Sequence, residues 1–168
     1  SPDDPERTVF EPASWLRTFW YYRAPTNHVG FTVPARVSTD LWRAASGAPQ
    51  QAFDEFAYRL PAYLAALGAV AMVAVLLAGL GFPRAGVAAA FLLAIHPLHV
   101  RYGSDGRGYS LVVLLGLAGA WLLLGALREG RWRWWLAYAA SQCWLLWTFP
   151  LAVYVPLGFG LAGIAAIA

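Results

Sequence analysis

Apolar and polar positions follow two different patterns on either side of Arg59. Up to that residue, apolar positions come in short groups, interrupted by Pro2, Pro5, Pro12, Pro25 and Pro34. From Leu60 onward, long apolar runs are separated by brief polar breaks. Leu60 to Phe82 holds 23 residues without a charged side chain, enough to cross a ~30 Å hydrocarbon core at ~1.5 Å per residue. Phe82-Pro83-Arg84 ends that run. The next, over residues 85–100, is interrupted by His96 and Pro97, which predicts a short or re-entrant helix whose end is covered by protein. Residues 109–127 and 132–149 predict two further spans, and residues 151–168 the start of another. The fold class expected is an all-α, polytopic transmembrane helical bundle.

The first 59 residues predict an external region with two interfacial helices. Around residues 12–20, Trp15, Leu16, Phe19 and Trp20 fall near one face. Over residues 33–45, Val33, Val37, Leu41 and Trp42 fall on one side, with Arg36, Asp40 and Arg43 on the other. Helices with aromatic and apolar side chains on one face and arginines on the other can lie along lipid headgroups. Two surface helices of a small soluble lobe are the competing reading.

Composition strengthens the membrane assignment, because charged residues make up 12% of the chain, about half the ~25% usual in soluble domains. All twelve basic residues are arginine, and the net charge of +3 is dispersed. A nucleic-acid surface needs cations clustered on one face, so that class is excluded. Cys143 is the single cysteine, which rules out an intramolecular disulfide framework. The start at Ser1 and the end at Ala168 inside an apolar run lead to the expectation of a fragment, and the first thirty residues lack the pattern of a signal peptide.

Arginine placement suggests an orientation. The turn Arg128-Glu129-Gly130-Arg131-Trp132-Arg133 and the break at Arg84 fall on the same side if the spans alternate. By the positive-inside rule that side is cytoplasmic, leaving residues 1–59 and 101–108 outside. Arg101 and Arg107 run against the rule, but they share their segment with Asp105.

That segment, HPLHVRYGSDGRGYSL from His96 to Leu111, carries the most chemistry. It gathers two histidines, two arginines, a carboxylate and several hydroxyls between apolar helices, where uncompensated charge is costly. Guanidinium forks match phosphate oxygens bidentately, so Arg101 and Arg107 are candidates for an anionic ligand. An ordinary external loop with an Arg107–Asp105 pair and solvated histidines is the alternative. His96 and His99 are three apart, but Pro97 intervenes and no third metal ligand is evident. We expect no required metal and no other cofactor, although a divalent cation is not excluded. The run Gly116-Leu117-Ala118-Gly119-Ala120 reads as close helix packing. Neither an inverted repeat nor a charged mid-span residue points to a transporter.

The same run resembles the segment between the third and fourth membrane helices of GT-C glycosyltransferases, specifically the bacterial relatives of protein mannosyltransferases and of the aminoarabinose transferases of lipid A. Arg101, Tyr102, Asp105, Arg107 and Tyr109 occupy the places of that pattern, with Gly103-Ser104 instead of the usual Ser-Gln and Asp in place of Glu. Upstream, Pro25-Thr26-Asn27-His28 is similar to an external Pro-Asn-Asn-His motif, with Thr26 replacing the first Asn, and Arg59-Leu60-Pro61 resembles the start of the second membrane helix.

The resemblance implies transfer of a sugar from a polyprenyl-phosphate donor to an extracytoplasmic acceptor, in the bacterial inner membrane. It places Arg101 and Arg107 on the lipid phosphate, with Tyr102, Asp105, Tyr109, Asn27 and His28 also lining the substrate site. The lipid tail would lie against the membrane helices. A catalytic carboxylate is expected in the first external loop, often in an Asp-Glu pair. Asp4 and Glu6 sit nearest that place, but the doublet is missing. Its lack keeps a second function open: a non-catalytic GT-C-like subunit, held by partners in a larger membrane protein complex.

Overall fold

The computed structural model describes residues 13–20 and 28–167. Its helices are α1 (Trp15–Trp20), α2 (Val29–Ser46), α3 (Glu55–Gly79), α4 (Pro83–Ile95), α5 (Pro97–Ser104), α6 (Tyr109–Glu129), α7 (Trp132–Thr148) and α8 (Tyr154–Ile167), with a 3-10 turn at Pro150–Val153 before the last. There is no strand among the described residues, and the architecture is an all-α membrane helical bundle.

The helix ends follow from their sequences. The Asp54 carboxylate caps α3 by accepting from the Ala57 N–H at 2.7 Å, satisfying one of the donors that a helix start leaves open. α3 and α6 are each long and apolar enough to cross a membrane, and α4 and α5 would do so together as one broken span bent by 61°. Pro97 causes the break: it has no N–H to continue the α4 ladder and pushes His96 into extended backbone, at φ −66° and ψ 123°. At the opposite end of the bundle, Gly81 (φ 91°) and Gly130 (φ 64°) take the left-handed backbone of the α3–α4 and α6–α7 turns.

Packing divides the molecule unevenly. The buried apolar cluster comprises Phe31, Ala35, Ala62, Ala65, Leu111, Leu115, Leu145 and Ala152, where α2, α3, α6, α7 and the 3-10 turn meet. Elsewhere the helices expose large side chains such as Leu67, Phe91, Leu92, Leu157 and Leu161. Apolar surface of that extent is stable against lipid or further protein, and costly against water.

Which face α2 turns inward is a matter its sequence left open. The helix begins at Val29, and its buried stripe is Phe31, Ala35, Thr39 and Arg43, while Val37 and Leu41 are exposed. Arg43 tolerates burial because its charge is paired: Nε and Nη2 donate to the Ala52 carbonyl at 3.0 and 2.9 Å, and Nη1 donates to Asp40 at 2.8 Å. Periodicity sets Arg43 opposite Val37 and Leu41, and there it lies, but buried against the bundle. α1 is pinned to this layer by Arg36, whose guanidinium lies 4.2 Å from the Trp15 ring centroid and donates to Thr18 Oγ1 at 2.9 Å.

Two rims result. One gathers His28, the start of α3, the loop after α5, the start of α6 and the end of α7. The other holds the α3–α4 and α6–α7 turns, joined where Arg128 Nη1 donates to the Gly79 carbonyl at 3.1 Å.

Candidate functional site

The His28 rim is built on close backbone approach. His28 precedes α2 and makes no side-chain capping bond. Its ring stacks on Phe149 with centroids 5.1 Å apart, and meets the edge of Tyr109 at 4.4 Å. Tyr109 in turn lies 4.6 Å from Tyr102. Four elements therefore contribute one ring each: the lead into α2, the C-terminal half of α5, the start of α6 and the residue after α7.

Two glycines make this possible. A Cβ on Gly108 would stand 3.0 Å from His28 Nδ1 and 2.6 Å from Thr148 Cγ2, and one on Gly30 would stand 2.8 Å from the Thr148 nitrogen. Pro34 adds a specific bond, because its missing N–H leaves the Gly30 carbonyl without its helical partner. Trp144 Nε1 donates to that carbonyl from α7 at 3.2 Å.

Charge sits directly beside the rings. Asp105, Gly106 and Arg107 form a tight turn in which the Arg107 N–H donates to the Asp105 carbonyl. Arg107 Nε lies 3.6 Å from Asp105 Oδ2, a long contact between two partly exposed groups. Gly106 presses against Tyr58, since a Cβ there would come within 2.6 Å of the phenol ring. Burial lowers the His28 pKa, and the Arg107 charge lowers it further; the Thr148 backbone and Asp105 pull the other way without reversing the shift. His28 is therefore neutral at pH 7, with one ring nitrogen a donor and the other an acceptor. Neither nitrogen makes a hydrogen bond of full geometry among the described residues, although the Thr148 backbone lies close enough to act on the ring.

The arrangement joins some of the expected site residues and separates others. His28, Tyr102 and Tyr109 meet, with Asp105 and Arg107 at their edge. Arg101 stands apart on α5, exposed and without an ion pair among the described residues. Asp4, Glu6 and Asn27 lie outside the described residues. His99 is buried and turned to α3, with Nε2 3.2 Å from the Ala66 carbonyl, whereas His96 is exposed. Among the described residues no group of three or more His, Cys, Asp or Glu converges.

Sequence reasoning overlooked Thr148, Phe149, Gly30 and Gly108. Phe149-Pro150 was the one visible sign, a helix stop that leaves an aromatic ring at the rim.

Membrane-length apolar helices define an integral membrane protein, and the ring cluster lies at one end of them. Residues 42–165 match the family model of dolichyl-phosphate-mannose-protein mannosyltransferase. That is most of the chain, and the protein belongs to this family of GT-C membrane glycosyltransferases. The matched stretch takes in α3 to α7 and the Asp105–Arg107 turn, and it starts beyond His28. Comparison with curated proteins and with solved structures returns no match.

Proposed function

We propose that the protein transfers a sugar from a polyprenyl-phosphate donor to an acceptor on the outer side of a bacterial inner membrane, by an inverting displacement. The acceptor hydroxyl attacks the anomeric carbon, the bond to the lipid phosphate breaks, and the phosphate leaves with the electron pair. Arg101 and Arg107 hold that phosphate and stabilise its growing charge, as preorganised cations can. The hydroxyl proton passes to a carboxylate, Asp4 or Glu6. Neutral His28, with Asn27, orients donor or acceptor hydroxyls.

The observation that carries this reading is the placement of Arg107. It sits next to a half-buried, uncharged histidine and a tyrosine pair, at the rim of a bundle from a sugar-transferring family. The opposite rim bears Arg84, Arg128, Arg131 and Arg133, which supports a cytoplasmic position for it and an external one for His28. The test is Arg107→Ala in the full-length protein, assayed for donor binding and turnover. A loss of about 100-fold is expected, the scale for removing one transition-state donor. Unchanged binding and turnover would refute the phosphate assignment.

A further inference from the structure

The Gly79 rim carries four arginines, Arg84, Arg128, Arg131 and Arg133, against one carboxylate, Glu129. Two of the four are used within the protein. Arg128 donates to the Gly79 carbonyl, and Arg131 lies 3.4 Å from Glu129. Arg84 and Arg133 are exposed and have no ion pair among the described residues. Each is the second residue of its helix, α4 or α7, where no acid stands in the first turn and the helix dipole gives a cation no support. Nothing in the described chain answers either charge.

The surface around these two cations is open and apolar. α4 packs on α3, α3 on α6 and α6 on α7, so the rim is a row with Arg84 towards one end and Arg133 towards the other. A Cβ on Gly81 or Gly130 would meet nothing within 4 Å, so neither turn has protein over it. Val87 follows Arg84 by three positions and is 69% exposed, and Leu136 follows Arg133 by three and is 60% exposed. Residues three apart share a helix face, so each free arginine stands one turn from an exposed apolar side chain on its own helix. Trp134 is turned to α6, where a Cβ on Gly125 would come within 2.6 Å of its ring. Trp132 and Trp135 instead keep exposed rings beside Arg133, and tryptophan is enriched at headgroup depth.

An occupant that fits this surface carries an anion with hydrocarbon attached to it. An acidic soluble protein would answer the arginines but leave Val87 and Leu136 against water. A zwitterionic lipid would cover the apolar side chains, but its own ammonium competes for the phosphate. We infer that the Gly79 rim holds anionic phospholipids at two seats, one at Arg84 and Val87 and the other at Arg133, Leu136 and Trp132. At each seat the guanidinium takes the phosphate, which its fork matches, and the acyl chains lie along the helix. Seats towards both ends of the row set the depth and tilt of the bundle, as interfacial anchors do. The inference is independent of the donor reading, because neither seat includes a residue of the His28 rim.

The experiment places the full-length protein in phosphatidylcholine nanodiscs that carry a small fraction of photoreactive phosphatidylglycerol, or of the matching photoreactive phosphatidylcholine. Both leaflets have the same composition, so the outcome does not depend on orientation. Labelled peptides are mapped by mass spectrometry. Phosphatidylglycerol should label the starts of α4 and α7 about fivefold or more above phosphatidylcholine, the scale of one arginine acting on an anionic membrane surface. Arg84→Gln should remove that excess at α4 and leave it at α7, and Arg133→Gln should do the reverse, so each seat is the folding control for the other. Arg84→Lys and Arg133→Lys should keep most of the excess, since the charge is retained. Equal labelling by the two lipids would overturn the inference. An excess that survives both glutamine substitutions together would overturn it as well. Loss of both labels on either single substitution would refute the assignment of two separate seats.

Discussion

At the Gly79 rim, Arg128 donates to a helix-end carbonyl at 3.1 Å and Arg131 lies 3.4 Å from Glu129. At the His28 rim, Arg107 keeps a loose 3.6 Å contact with Asp105, and Arg101 has no ion pair among the described residues. Both rims join membrane helices, and both place arginine near aromatic rings. The difference is what surrounds the guanidinium. Arg128 sits in the last turn of α6, where a cation complements the helix dipole and an open carbonyl, and the neighbouring glycine turns reverse the chain. Around Arg107, glycines instead draw four elements together, and the adjacent imidazole is kept uncharged. At one rim an arginine ties two helices together, while at the other the arginines stand beside a cluster of converging rings.

The sharpest break of this comparison is steric. Gly30→Val would push a side chain into the Thr148 backbone, 2.8 Å from the site of its Cβ, and should cost about 3 kcal/mol or more by overpacking. Thermal unfolding in detergent would show it. Gly130→Ala at the other rim meets no atom within 4 Å and only strains a φ of 64°, so it should cost about 1–2 kcal/mol. Equal costs would mean that the two rims are not built differently.

Next in size, Arg43→Ala should cost about 1–3 kcal/mol, because it strips the Ala52 carbonyl of both donors in a part-buried place. Arg43→Met, which keeps the apolar stem, should recover part of the loss. Identical stabilities for the two variants would show that packing of the stem contributes nothing.

A smaller effect separates the rims by pH. The folded His28 pKa lies below its ordinary 6.5, so the unfolded or opened chain binds the proton more tightly. The stability this contributes is fully present above pH 6.5 and is lost as pH falls through the lowered folded value. Hydrogen-exchange protection at the start of α2, taken relative to the intrinsic rate at each pH, should fall between pH 7 and pH 5, while protection around Gly130 stays level. His28→Asn should remove the response. The smallest change expected is Arg131→Ala, which breaks an exposed pair and should alter stability by less than about 0.5 kcal/mol. A larger loss would give the Gly79 rim a role beyond joining helices.

Much of the fold was legible because its signals are local. Pro97 forces His96 out of helix whatever surrounds it. The clustering of Arg101, Asp105, Arg107 and the two tyrosines is also visible in a single stretch. The face that α2 buries was not legible, since Arg43 can turn inward only when the Ala52 carbonyl, nine residues away, is there to receive it. The roles of Thr148 and Gly30 were equally hidden: they lie 118 positions apart and meet only because α7 returns to the start of α2.

Hydrophobic run lengths and prolines by themselves determined an all-α membrane chain with a broken helix, because lipid demands internally satisfied backbone and proline removes a donor wherever it stands. Tertiary structure alone decided which arginine is buried, which histidine is neutral and where a groove opens at the α4–α5 bend. Those properties depend on burial and on distances between segments remote in sequence, and no local pattern encodes either.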